Sequence, residues 1–182
     1  MQITLIRHLP TEWNKLEKLQ GRRDIPISPV SERFQQDIII NQKQLDRLEP
    51  FDLILSSTLI RTRQTARFYG YEPETESLLD ELDFGLFEGR SKAELAAAFA
   101  GKWVEDPKSI VLGERVEQLE ERIMAFINKY KRYSNILVFG HGSWMRAMLS
   151  YHQYGNINKM NKVTVQNNQC ITLLFNRDWE AL

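Results

Sequence analysis

The stretch "MQITLIRHLPTEWN" (residues 1–14) sets the apolar run Ile3-Thr4-Leu5-Ile6 directly against Arg7 and His8. A short run of this kind suits a strand buried on both faces, as strands of parallel sheets are. "FDLILS" (51–56) and "NILVF" (135–139) have the same character. Helical patterns lie between them. In 114–132, Val116, Leu119, Ile123, Ile127 and Tyr130 recur at three- and four-residue steps, with Glu and Arg on the opposite side. "SKAELAAAFAG" (91–101) predicts a capped helix, with a capping box of Ser91 and Glu94 and a stop at Gly101. A longer helix is expected from about Ser31 to Leu48, and "TVQNNQCITLLFN" (164–176) returns to a β-like run after a turn at Asn167-Asn168. Alternating strands and helices imply an α/β fold, a three-layer α/β/α arrangement with a mostly parallel central sheet.

The length of 182 residues suits one domain with a sizeable core, spanning 1–182. Its 42% hydrophobic and 26% charged residues are those of an ordinary globular protein. The 24 basic and 24 acidic residues cancel, so no global field invites nucleic acid or an anionic membrane, and anion binding has to come from a local cluster. The single cysteine, Cys170, excludes an internal disulfide, fits a reducing compartment and reads as a small core hydrophobe. Neither a signal peptide nor an apolar run of membrane-spanning length is visible. A cytoplasmic protein is expected, with no membrane or nucleic-acid partner.

The polar residues that end the apolar runs fall into a pattern. The first strand ends at Arg7-His8, the second at "SSTLIRTRQTA" with Arg61 in the first turn of a helix, and the third at "GHGSWMR" with His141. Ligands of such sheets bind beyond the C-terminal strand ends. Two arginines offer planar forks to phosphate oxygens. A helix starting just after His141-Gly142 is expected to point free N–H groups at the anion. A neutral imidazole is a competent nucleophile. A carboxylate from "DELDFGLFEG" (80–89) would protonate a leaving oxygen. The residues alone leave Asp80, Glu81, Asp83 and Glu88 all open for that role. Three scattered histidines show no metal-ligand spacing, and no metal or other cofactor is expected.

These stretches carry a family resemblance. "LIRHLPTEWN" resembles the R-H-G-x-T-x-x-N signature of the histidine phosphatase superfamily, the phosphoglycerate-mutase-like proteins. "QGRRDIPIS" (20–28) looks like the family's G-x-x-D-x-P-L-S, and "SSTLIRTRQTA" (56–66) is similar to S-S-x-L-x-R-A-x-Q-T-A. "LDELDFGLFEG" (79–89) resembles L-x-E-x-x-F-G-x-W-E-G, and "VFGHGSWMR" (138–146) resembles V-x-H-G-x-x-x-R. The motifs follow in order from residue 3 to about 175. The resemblance implies a phosphoglycerate-mutase-like fold, with His8 as the nucleophile that becomes a phosphohistidine. Arg7, Arg61 and His141 would hold the phosphoryl group, Glu81 would donate the proton, and Asn14, Gly21 and the Gly142-Ser143 backbone would complete the substrate contacts.

Two departures bear on activity. The family's glycine after the histidine is Leu9, followed by Pro10, which is expected to add bulk beside the nucleophile and remove an N–H donor. Phe87 replaces the usual tryptophan and should keep an aromatic contact. Mutases of the superfamily carry a longer insertion with basic residues for a second acidic group, whereas 101–122 shows no adjacent arginine pair. The expected function is therefore metal-independent hydrolysis of a small phosphorylated metabolite through phosphohistidine. A mutase-type phosphotransferase is one alternative, and a catalytically weakened phosphate-ligand-binding protein, motivated by Leu9-Pro10, is the other. A short insertion of about 90–114 is expected to cover the substrate. Monomer and homodimer both stay open.

Overall fold

A computed structural model describes residues 1–176. Its strands are β1 (Gln2–Arg7), β2 (Leu53–Ser56), β3 (Glu74–Thr75), β4 (Asn135–Gly140) and β5 (Cys170–Leu174). They form one sheet in the order β3-β2-β4-β1-β5, parallel except for β5, which runs antiparallel to β1. The helices are α1 (Glu12–Lys15), α2 (Glu32–Leu45), α3 (Ile60–Phe68), α4 (Lys92–Phe99), α5 (Lys102–Glu105), α6 (Val116–Tyr130) and α7 (Gly142–Tyr154).

Strand alternation sorts the core into two halves. Ile3, Leu5, Ile136 and Val138 face one side, where they pack with Leu119, Ile123 and Phe126 of α6 and Trp144, Met145 and Met148 of α7. Ile6, Leu137 and Phe139 face the other side, against Ile38 and Leu45 of α2 and Ala66 of α3. These are the two outer layers that the sequence pattern implied. Val116, Leu119, Ile123, Ile127 and Tyr130, the apolar stripe of α6, are all buried. Phe87 keeps its aromatic contact, with its ring 5.6 Å from that of Phe99.

Three local expectations need correction. The capping box of α4 is present, but the left-handed residue that ends the helix is Ala100 (φ 45°). Gly101 has φ −65° and opens α5, its carbonyl accepting the N–H groups of Val104 and Glu105, so the glycine serves the next helix and not the stop. The helix expected over 31–48 spans Glu32–Leu45, with Ser31 as its N-cap. The short β3 carried no sequence signal, because both of its residues are exposed.

Leu9 is the correction with most bearing on function. Its side chain is fully buried and packs in the second half of the core with Ile6, Leu45, Ala66 and Phe139. Its N–H donates to Thr65 Oγ1 at 2.9 Å. The bulk expected beside the nucleophile is directed into the core instead.

Sheet register places the site. Arg7 pairs with Gly140 and Ser56 with Phe139, so the C-terminal ends of β1, β4 and β2 lie side by side. Arg7-His8, His141 and Ser57–Arg61 leave the sheet there together. Among the described residues, no helix is long and apolar enough to cross a membrane.

Because Leu9 packs as a core residue, Leu9→Ala is expected to lower the unfolding free energy by about 3–5 kcal/mol in denaturant melts. A loss below about 1 kcal/mol would mean that the side chain is not held in the core as described.

Candidate active site

His8 follows the last residue of β1 and is almost wholly buried. Its N–H continues the strand ladder to the Gly140 carbonyl at 3.0 Å. Its Nδ1 lies 2.7 Å from the Leu9 carbonyl oxygen. A carbonyl only accepts, so Nδ1 carries the hydrogen and Nε2 of the neutral ring keeps its lone pair. That is the tautomer a nucleophile needs.

Arg61, in the first turn of α3, is also almost wholly buried. Its Nη1 donates to the Arg23 carbonyl (2.7 Å) and its Nη2 to the Gly21 carbonyl (2.8 Å). Its Nε donates to His141 Nδ1 at 3.2 Å. Because a guanidinium cannot accept, the hydrogen of neutral His141 sits on Nε2 and donates to Ser57 Oγ at 2.6 Å. The His8 and His141 rings are 5.4 Å apart. Both ring nitrogens of His141 are thus engaged by protein, and in the free protein it acts by fixing Arg61.

Arg7 donates from Nη1 to the Val165 carbonyl at 2.6 Å, while its Nε is buried without a partner. Its guanidinium lies over Gly142, where a Cβ would stand 3.1 Å from Cζ and 3.2 Å from Nε. Glycine is needed there for that close approach. Burial lowers the pKa of both Arg7 and Arg61 to about 10, which leaves both charged at neutral pH.

Among the four acidic candidates, Glu81 alone lines the cavity. Asp80 accepts from Thr58 N and Oγ1, Asp83 from the Gly85 N–H, and Glu88 from the Arg22 N–H and the Arg23 guanidinium. Glu81 Oε1 accepts from the N–H groups of Leu82 and Trp144, and Oε2 from that of Ser143. The helix start that the sequence assigned to an incoming anion is therefore capped at two of its N–H groups by a protein carboxylate. Asn14 uses Oδ1 to cap α1 through the Thr11 N–H (3.1 Å). Gly21 has φ +52°, and a Cβ there would lie 2.1 Å from Glu88 Oε1.

Arg7, His8, Asn14, Gly21, Arg61, Glu81, Gly142 and Ser143 all line one cavity of about 330 Å³, with His141 behind Arg61. Lys18, Lys92, Trp103 and Arg146 line it as well; Lys92 and Trp103 belong to the 90–114 segment expected to cover the substrate, and none of the four was singled out as a site residue. Arg146 closes the quoted "VFGHGSWMR" motif, one helical turn beyond Gly142, which was a usable signal. The two lysines stand in no recognisable motif. Among the described residues, no group of three His, Cys, Asp or Glu side chains is placed to hold a metal ion.

Fold and site together define an α/β protein with a buried histidine in a cavity lined by arginines and lysines at the C-terminal strand ends. The sequence profile of the histidine phosphatase superfamily (branch 1) matches residues 3–181, and the chain belongs to that family. It is 30% identical over 160 residues to phosphoserine phosphatase 1 of Hydrogenobacter thermophilus, covering 81% of this chain and 74% of that protein. It is 22% identical over 225 residues to the 2,3-bisphosphoglycerate-dependent phosphoglycerate mutase of Buchnera aphidicola, covering 100% and 96%. The α-ribazole phosphatase of Shigella flexneri shares the fold, with a TM-score of 0.77 at 24% identity over 97% of this chain and 92% of that one. The fold is thus phosphoglycerate-mutase-like, and the relatives include phosphatases and mutases.

Burial, reinforced by the charges of Arg61 and Arg7, holds the His8 pKa well below 6.5; burial and Arg61 do the same for His141. Imidazole NMR is expected to show both rings neutral at pH 5.5, with His8 protonated on Nδ1. Below about pH 6.5 the unfolded chain binds two protons that the native one refuses, so stability falls on acidification, by up to about 2.7 kcal/mol per pH unit. Imidazolium signals from His8 at pH 5.5 would contradict this.

Proposed function

We propose that the protein is a phosphomonoesterase that hydrolyses a small phosphorylated metabolite through a phosphohistidine at His8, without a metal ion. The observation that carries this reading is the His8 tautomer. The Leu9 carbonyl holds the proton on Nδ1, and Nε2 keeps a free lone pair beside two charged arginines. In the first step Nε2 attacks phosphorus, the P–N bond forms and the ester P–O bond breaks. Arg7 and Arg61 neutralise charge on the non-bridging oxygens, and Glu81, which takes up a proton as the phosphate charge enters beside it, gives that proton to the leaving alcohol. In the second step Glu81 takes a proton from water, the hydroxide oxygen bonds to phosphorus, and the P–N bond breaks to release phosphate. Asn14, Gly21 and the Gly142-Ser143 turn wall the phosphoryl end.

A cavity of about 330 Å³ is at the small end of ligand pockets and supports a small substrate. Lys92, Leu95 and Trp103 contribute to its wall, which supports 90–114 as a substrate-covering segment of a single domain over 1–182. The neutral net charge and one free cysteine favour a cytoplasmic setting without nucleic-acid or membrane partners. Leu9 lies in the core, which removes its bulk from the motive for reading the protein as a weakened phosphate binder and leaves only the N–H that Pro10 lacks. Mutase-type transfer stands second, supported by the likeness to phosphoglycerate mutase.

With p-nitrophenyl phosphate in EDTA, wild-type protein is expected to turn over and release inorganic phosphate. His8→Ala should lose at least about 10³-fold in kcat, and His141→Ala about 10²–10³-fold. Equal turnover by wild type and His8→Ala would remove the assignment.

A further inference from the structure

The carboxyl group of Glu81 is held by the amides of Ser143 and Trp144, but its backbone lies in 80–84, a stretch that belongs to no helix or strand. Among the described residues, no backbone N–H reaches the Glu81 carbonyl. Arg22 does: its Nε donates to that oxygen at 3.0 Å. Arg22 stands between Gly21 and Arg23, whose carbonyls accept Nη2 and Nη1 of Arg61. One run of three residues therefore meets the Arg61 guanidinium at both ends and the Glu81 backbone in the middle. The Arg22 N–H donates to Glu88 Oε1 at 2.7 Å, at the far end of the same acidic stretch.

The guanidinium of Arg22 is itself flanked by carboxylates. Its Nη1 lies 3.7 Å from Asp80 Oδ2 and its Nη2 3.8 Å from Glu114 Oε1. Glu114 Oε1 also accepts the Asp83 N–H (3.0 Å) and pairs with Arg122 Nη2 (2.8 Å), while Arg122 Nη1 donates to the Asp80 carbonyl (2.7 Å). Residues 80, 81 and 83 are thus gripped from the loop after α1, from α6 and from the end of the 90–114 segment. Ion pairs of that length on a side chain 38% exposed add little to stability, so the fold stands without Arg22. What the side chain supplies is placement.

We propose that Arg22 is a positioning residue for the proton donor: by fixing the Glu81 backbone against the anchor of Arg61, it sets where the carboxyl proton stands relative to the leaving oxygen. The proposal rests on the reading of Glu81 as that donor. A misplaced acid matters only to a leaving group that needs a proton. Phenolate is basic and needs one, whereas p-nitrophenolate spreads its charge into the nitro group and departs with little help. The quantity kcat/KM covers the route from free enzyme to P–O cleavage, so the later attack of water does not enter it.

The test compares phenyl phosphate with p-nitrophenyl phosphate, which differ only by the nitro group. In Arg22→Gln, kcat/KM is expected to fall about 10- to 100-fold on phenyl phosphate and less than about threefold on p-nitrophenyl phosphate. Arg22→Lys, whose ammonium reaches the same carbonyl, should recover most of the loss. A merely structural role would lower both esters alike. An equal loss on the two esters, a phenyl phosphate loss below about threefold, or a selective loss that Arg22→Lys leaves in place overturns the proposal. So does a wild type that cleaves p-nitrophenyl phosphate alone, because no proton donor would then be at work. If wild type hydrolyses neither ester, the phosphatase reading falls, and amide NMR of the free protein decides the placement separately. Ser143 and Trp144 signals that move in Arg22→Gln but not in Arg22→Lys uphold it, and signals unchanged in both overturn it.

Discussion

The hydrogen bond from His8 Nδ1 to the Leu9 carbonyl is the constraint on which the site depends. A histidine buried among arginines stays neutral, because the protonated ring would pay both the loss of water and the repulsion of Arg61 and Arg7. Neutrality alone does not choose which nitrogen is free. The carbonyl chooses, and it is itself held by the strand end, by the Leu9 N–H on Thr65 Oγ1 and by the Leu9 side chain locked in the core. A glycine at this position gives backbone freedom; here the same carbonyl is fixed by packing. The substitution that looked like an obstacle beside His8 is an anchor beneath it.

The cations are organised by the same logic. A buried guanidinium is stabilised when its N–H groups are met, as those of Arg61 are on all three nitrogens and that of Arg7 Nε is not. Arg61 meets this with the carbonyls of Gly21 and Arg23 and with His141, and the residues that feed it come from separate parts of the chain. Glu81 ties the loop after β3 to the start of α7 through the Ser143 and Trp144 amides. One carboxylate therefore serves as helix cap and as cavity wall. The protein as a whole carries no net charge, and the cavity gathers Arg7, Arg61 and Arg146 where the strand ends converge.

Much of this layout was legible in the sequence. Apolar runs ending in Arg7-His8, near Arg61 and at His141 identified three strands whose C-terminal ends had to meet, because parallel connections place them on one edge. The stripe of α6 was readable for the same reason, since period and burial coincide. What escaped was information held in three dimensions. Leu9 alters a motif position yet points inward, which depends on the direction of the chain after β1. The N–H groups of Ser143 and Trp144 at the start of α7, expected to be free, are occupied because Glu81 arrives from 62 residues before Ser143. Lys18 joins the cavity from outside every motif, and Lys92 lies in the segment expected to cover the substrate but at no spacing that marks it. Gly101 misled because a glycine after a helix was equally suited to start the next one.

The most direct measurement of the central claim is a crystal structure of the protein soaked with orthovanadate, a mimic of the phosphoryl group in flight. The account predicts vanadium bonded to His8 Nε2, with equatorial oxygens on Arg7 and Arg61 and the apical oxygen opposite His8 facing Glu81. Vanadate bound elsewhere, or a His8 ring turned so that Nδ1 faces the oxyanion and the Leu9 carbonyl is left without its hydrogen bond, would contradict it.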